Sequence, residues 1–345
     1  MSIRTQFTKA YGLALRFKSR WQLALKLLVG IWLVALVISY IDFRELFRII
    51  LNANPWYLLA VVVLFYIDRA LMAYKWDLLL RALNIVIPFS QIYQVYTIVP
   101  LSSTLLPSTI GGDLVRFAIF SRYKVDNKAV LASMVVERLI ALVAILVLAS
   151  VSLLAAFFWM KGSWSTFAGV KWLLLIGSGL TLGLIVFAVI FRGWIEKLVL
   201  KLEPYRFIGP LMRKLHNVYV LCYEYQNHPR TIFGVTLWTI LEQMVPILEN
   251  FLLVYAFRIH APFWGIAVVI PIIVLAVRLP ISLDGLGIQE GMYVALFGLL
   301  GVSVSQAFLV STISRIIPML AALPWGLHYI MMDRRKILPD DEKPV

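Results

Sequence analysis

The sequence predicts an all-α, polytopic integral membrane protein, with about six full spans and two broken helical hairpins forming an inverted repeat. Three observations lead there. Of the 345 residues, 61% are hydrophobic and only 14% are charged, whereas soluble domains sit nearer about 45–50% and 25%. Several apolar stretches exceed the roughly 18 residues expected of a membrane helix. Two further apolar segments are interrupted by Pro and Gly. Such backbone is tolerated at membrane depth only where protein buries it or where it lines a wet cavity.

The continuous spans fall at 23–41, 55–75, 129–159, 171–191, 231–257 and 305–331. The broken segments are 91–121, around Pro107–Asp113, and 262–303, around Pro280–Glu290. The run 23–41 is of full membrane length and has no small-residue cleavage site after it, so it reads as a span rather than a removable signal.

Basic residues set the expected orientation. The segment 1–22 holds Arg4, Lys9, Arg16, Lys18 and Arg20 and no acid. The loop 192–230 carries seven Lys or Arg, and the tail 332–345 begins with Arg334, Arg335 and Lys336 among its first residues. All three are expected in the cytoplasm, the protein lying in the cytoplasmic (inner) membrane. Links 160–170 and 258–261, with one Lys or Arg each, suit the outside. Both ends of 91–121 then belong inside and both ends of 262–303 outside. The two hairpins therefore enter from opposite faces of one transmembrane domain, 23–331. The net charge of +14 belongs to these loops and to anionic lipid rather than to nucleic acid.

The hairpins share a pattern. Each carries an acid, Asp113 or Glu290, followed 25 residues later by an arginine in the next span, Arg138 or Arg315. Ala118, Phe120 and Val125 recur at the same offset as Ala295, Phe297 and Val302. Broken helices at matching positions of two halves point to a transporter's binding site.

Charges in a bilayer cost about 2.5–3.5 kcal/mol each on insertion scales, so they face a cavity or a partner. In Gly111, Gly112, Asp113 and Arg116, a helix beginning at Asp113 would be capped by it, with Arg116 one turn on. Amides and guanidinium together suit a phosphate. The second cluster is Arg278, Asp284, Gly285, Gly287, Gln289 and Glu290, with Arg315 beyond it. It lacks the Lys-Ser/Thr pair of a nucleotide loop. Glu137 and Arg138 lie about eight residues into their span. Glu242 and Glu249, seven apart, share one helix face. Glu242 and Glu249 are expected to pair with Arg138 or Arg315, and Glu137, Arg138, Glu242 and Glu249 to hold the cavity together or relay protons. Asp68, Arg69, Lys75 and Asp77 read as an interfacial, snorkelling set. The scattered histidines and the single cysteine, Cys222, offer no metal site or intramolecular disulfide, and no cofactor is expected.

The stretch from Leu105 to Arg116, followed by Val135–Arg138, resembles the first signature of the transmembrane region of lysylphosphatidylglycerol synthases. Pro280–Gly291, followed by Phe297–Val302 and Arg315, resembles the second. The resemblance spans about residues 20–332. It implies a flippase-like membrane region that moves a phospholipid or lipid-linked headgroup. Because 14 residues follow the last span, the soluble aminoacyl-transferase domain is expected to be absent, and the chain is not expected to be an enzyme. Asp284 and Gln289 stand where the family often has Gly and Arg, which bears on the charge preference of the second hairpin. Two other classes remain. One is a lipid-linked glycosyl- or phospho-transferase using acids such as Asp42 and Glu45. The other is a membrane partner of a separate lipid-modifying enzyme. A homo-oligomer also stays open.

Overall fold

A computed structural model describes residues 39, 42–105, 111–121, 125–159, 219–278 and 285–331. Every regular element among them is helical. A nine-residue helix, α1 (Phe43–Leu51), precedes α2 (Pro55–Ala82), α3 (Phe89–Leu105), α4 (Gly111–Phe120) and α5 (Asn127–Trp159). After a short helical stretch at 219–224 and a 3-10 turn, Tyr225–Asn227, come α6 (Pro229–Ala256), α7 (Phe263–Val277), α8 (Ile288–Gly298) and α9 (Val304–Met331). Of these, α2, α5, α6 and α9 are long and apolar enough to cross a membrane. Apart from Ser39, the expected spans 23–41 and 171–191 lie outside the described residues.

The long helices outrun the expected spans. The span 55–75 is part of a 28-residue helix ending at Ala82, and 231–257 starts earlier, at Pro229, with the same 28 residues. At ~1.5 Å per residue each is roughly 42 Å long, more than a ~30 Å hydrocarbon core needs. Apolar content marks only the lipid-facing part. The polar continuation Lys75–Arg81 of α2 remains helical because protein covers it. Lys75, Trp76, Asp77, Leu79 and Leu80 are buried.

The segment 91–121 is the pair α3 and α4, and 262–303 holds α7 and α8. The residues 106–110 and 279–284 between the legs lie outside the described set. Starts of elements recur along the chain. α6 and α7 begin 174 positions after α2 and α3, and α8 and α9 begin 177 after α4 and α5.

α2 and α6 run antiparallel against each other. The Asn54 N–H donates to the Ala256 carbonyl at one end (2.8 Å). Tyr57 packs at a tilt against Tyr255, and Tyr74 meets Trp238 edge to face. At the other end the Tyr225 hydroxyl donates to the Leu79 carbonyl (2.9 Å), occupying one of the acceptors that a helix C-terminus leaves open. Apolar packing forms two main clusters on either side of this pair. One gathers Trp76, Tyr96, Phe120 and Met134 from α2 to α5 and takes in Val235 of α6. The other gathers Val269, Phe297 and Val310 from α7 to α9 and takes in Val61 of α2. Each cluster thus borrows one end of the long helix that belongs to the other.

Two glycines are needed for these contacts. A Cβ on Gly112 would lie 2.6 Å from Val99 Cγ1, so only glycine lets α4 sit this close to α3. Gly287, at φ +78°, occupies a conformation disfavoured for other residues and turns the chain into α8.

Candidate functional site

The first cluster is built on the start of α4. The helix begins at Gly111, not at Asp113 as expected, so Asp113 sits within the first turn rather than capping it. From there its carboxylate forms an ion pair with Arg138 of α5 and lies 3.4 Å from Arg116. Arg116 itself is enclosed. Its guanidinium lies over the rings of Trp76 (4.6 Å) and Tyr96 (4.2 Å), and it donates to Glu137 at 2.8 Å. Tyr96 donates to the other oxygen of Glu137 at 2.6 Å. Only 6% of the Arg116 side chain is exposed, against 57% of that of Arg138. A cation held over two aromatic faces and two carboxylates is already neutralised. The exposed cation of this cluster is Arg138.

The second cluster follows the same plan with different side chains. The Gly287 N–H donates to Glu290 at 2.6 Å, and the other carboxylate oxygen of Glu290 lies 3.3 Å from Arg315. Arg315 also donates to the amide oxygen of Gln289 (3.0 Å), whose nitrogen donates to the Ser311 carbonyl and to Ser314. Tyr293 donates to Asn250 of α6 at 2.8 Å and lies 3.5 Å from Ser314. So both acid–arginine spacings of 25 residues are ion pairs. Gly285 adopts φ +68°. Arg278, at the end of α7, donates at 3.4 Å to Gln243 and to the Ala141 carbonyl. Asp284 lies outside the described residues. Among the described residues, no hydrogen bond or ion pair joins Gly111–Arg116 to Gly285–Glu290.

Two expectations need correction. Glu242 and Glu249 form no ion pair with Arg138 or Arg315 among the described residues. The partner of Glu242 is Lys75, across the α2–α6 contact. Nor are Asp68, Arg69, Lys75 and Asp77 a snorkelling interfacial set. Lys75 is 1% exposed, Asp68 and Asp77 are buried, and Arg69 pairs with Asp68. The physical reason is that α6 covers this face of α2, so the charges must be satisfied by protein. Asp77 pairs with Arg81 one turn on. The acids weighed for a transferase have structural tasks. Asp42 caps α1 by accepting from the N–H groups of Arg44 (2.9 Å) and Glu45 (3.3 Å), and Glu45 accepts from Ser303 (3.0 Å).

Trp76, Tyr96, Asn250 and Tyr293 were not singled out from the sequence. Only Trp76 and Asn250 carry a positional signal: they directly follow Lys75 and Glu249, each seven positions after an acid, Asp68 or Glu242. Among the described residues no three His, Cys, Asp or Glu side chains gather as metal ligands would.

The described charges of both clusters are therefore largely neutralised by pairing between packed apolar helices. Residues 23–326 match the family of the lysylphosphatidylglycerol synthase TM region. The chain belongs to that family. Membership of the lysylphosphatidylglycerol synthase TM family identifies a multi-pass membrane protein with a lipid-related function, consistent with its four membrane-length helices. A comparison with curated proteins finds no match.

Proposed function

We propose that this protein translocates a phospholipid or lipid-linked headgroup across the cytoplasmic membrane, without chemical conversion, between two helix pairs that enter from opposite faces. The observation that carries this reading is the twin ion pair Asp113–Arg138 and Glu290–Arg315. Each joins the second leg of a broken hairpin to the long helix that follows it. A headgroup phosphate competes well for a guanidinium, because two of its oxygens can pair with the guanidinium fork as a carboxylate's do. Each pair then acts as a latch that a passing headgroup opens. Arg138 and Arg315 meet the headgroup. Arg116, closed in by Trp76 and Tyr96, holds α4 against α2 and α3 instead. The recurrence of helix starts at 174 and 177 positions supports an inverted repeat. So does the antiparallel contact of α2 with α6. Both termini and the loop 192–230 lie in the cytoplasm on this reading, as the basic residues require.

The test is reconstitution into liposomes carrying a fluorescent phospholipid, with chemical quenching of the outer leaflet. Wild-type protein is expected to expose inner-leaflet probe to the quencher. Arg138→Ala and Arg315→Ala are each expected to remove that activity while eluting as folded protein. Undiminished movement in both variants would defeat the proposal.

A further inference from the structure

The repeat relates contacts as well as helix starts, and one contact breaks the rule. With the 174 and 177 offsets, Asp113–Arg138 maps onto Glu290–Arg315. Arg116 beside Glu137 maps onto Tyr293 beside Ser314. Arg116 over Trp76 maps onto Tyr293 bonded to Asn250. Along α2 and α6 the same operation exchanges Asp68 with Glu242, Arg69 with Gln243 and Lys75 with Glu249. Even the bond between chain neighbours recurs, Arg69 donating to Asp68 and Gln243 to Glu242.

The salt bridge Lys75–Glu242 therefore has a counterpart, Glu249 facing Asp68, in which the lysine is replaced by an acid. At the first place one cation meets one anion. At the second, among the described residues, Arg69 pairs with Asp68 alone, and Glu249 is left as an excess negative charge on a membrane helix. Among the described residues Glu249 has no hydrogen bond or ion pair. Arg69 Nε, on the facing helix α2, is buried and has no acceptor. The charges acting on Glu249 are Asp68 and Arg69 of α2. Glu242 lies two turns away on α6 itself. The charge of Glu249 also acts on Tyr293 of α8, as does that of Arg315 of α9. α5 and α7 add no charge of comparable effect.

We propose that Glu249, set against Asp68 and Arg69, is a proton-binding site that couples lipid movement to protons. The site does not depend on the flippase reading; only the coupling does. An uncompensated charge in such surroundings is removed most simply by a proton. When the O–H bond of Glu249 breaks, the proton passes to water, and the new carboxylate takes the free Nε–H of Arg69. This draws α6 and α2 together in the half nearest loop 258–261, the outer half in the orientation proposed above. Reprotonation releases it.

Infrared difference spectroscopy of the purified full chain in detergent tests the site without any lipid assay. A protonated-carboxyl band is expected at neutral pH and is expected to vanish on raising the pH. Glu249→Gln should remove it. Asp68→Asn should remove it too, because Arg69 is then free to hold Glu249 ionised. The second variant decides if the first does not fold. No such band in wild type, a band retained in the folded variants, or a band abolished by sodium at constant pH would each overturn the proposal. In liposomes with the fluorescent phospholipid, an imposed pH gradient should change the wild-type rate and not that of Glu249→Gln. Lipid movement indifferent to the gradient overturns the coupling. A wild type that moves no lipid removes the flippase reading and leaves the infrared result standing.

Discussion

The ammonium of Lys75 and the carboxylate of Glu242, 167 residues apart in sequence, form an ion pair within the contact between α2 and α6. It lies away from water, with 1% of the lysine side chain and 10% of the glutamate side chain exposed. Two long helices, each too apolar to choose a register by hydrophobic contact alone, are fixed relative to each other here.

Removing one partner strands the other. Lys75→Met or Glu242→Gln alone should lower stability by about 3–5 kcal/mol, and the double substitution by clearly less. Thermal unfolding in detergent, followed by the monodisperse fraction after heating, measures this. A double variant as unstable as the worse single would mean that the charges do not interact.

Glycine substitutions separate close packing from mere composition. Gly112→Ala forces a methyl against Val99 and should destabilise by about 1–3 kcal/mol. Val99→Ala in the same chain should recover part of it. Gly291→Ala, where nothing lies within 4 Å, should be neutral or gain up to ~1 kcal/mol of helix propensity. Equal melting temperatures for Gly112→Ala and Gly291→Ala would contradict the close α3–α4 contact.

Cys222 reports both orientation and burial. Its thiol sits against the Ala132 carbonyl at 3.7 Å, and burial pushes its pKa up to about 11. The reactive species is the thiolate. Alkylation of the purified protein should thus be slow at neutral pH and rise about tenfold per pH unit up to the vicinity of pH 11. A plateau near pH 9 would show an open thiol. In intact cells an impermeant reagent at mildly alkaline pH should leave it unlabelled, yet label it after lysis. Labelling from outside would reverse the proposed orientation.

The sequence by itself determined the helical membrane class and the recurrence of an acid and an arginine 25 residues apart in each half, but not that each acid pairs with that arginine. These are legible because hydrophobic run length, Gly and Pro act locally, and because a spacing is read directly from the chain. It could not assign Lys75 to Glu242, or show Arg116 sealed between Trp76 and Tyr96. Asp68 and Lys75 read as interfacial because their place on α2 says only that they lie past the apolar stretch. Whether such a charge meets water or protein depends on what covers that face. Only the packing of α6 against α2, brought together from distant sequence, decided that these charges are buried and which of them have partners.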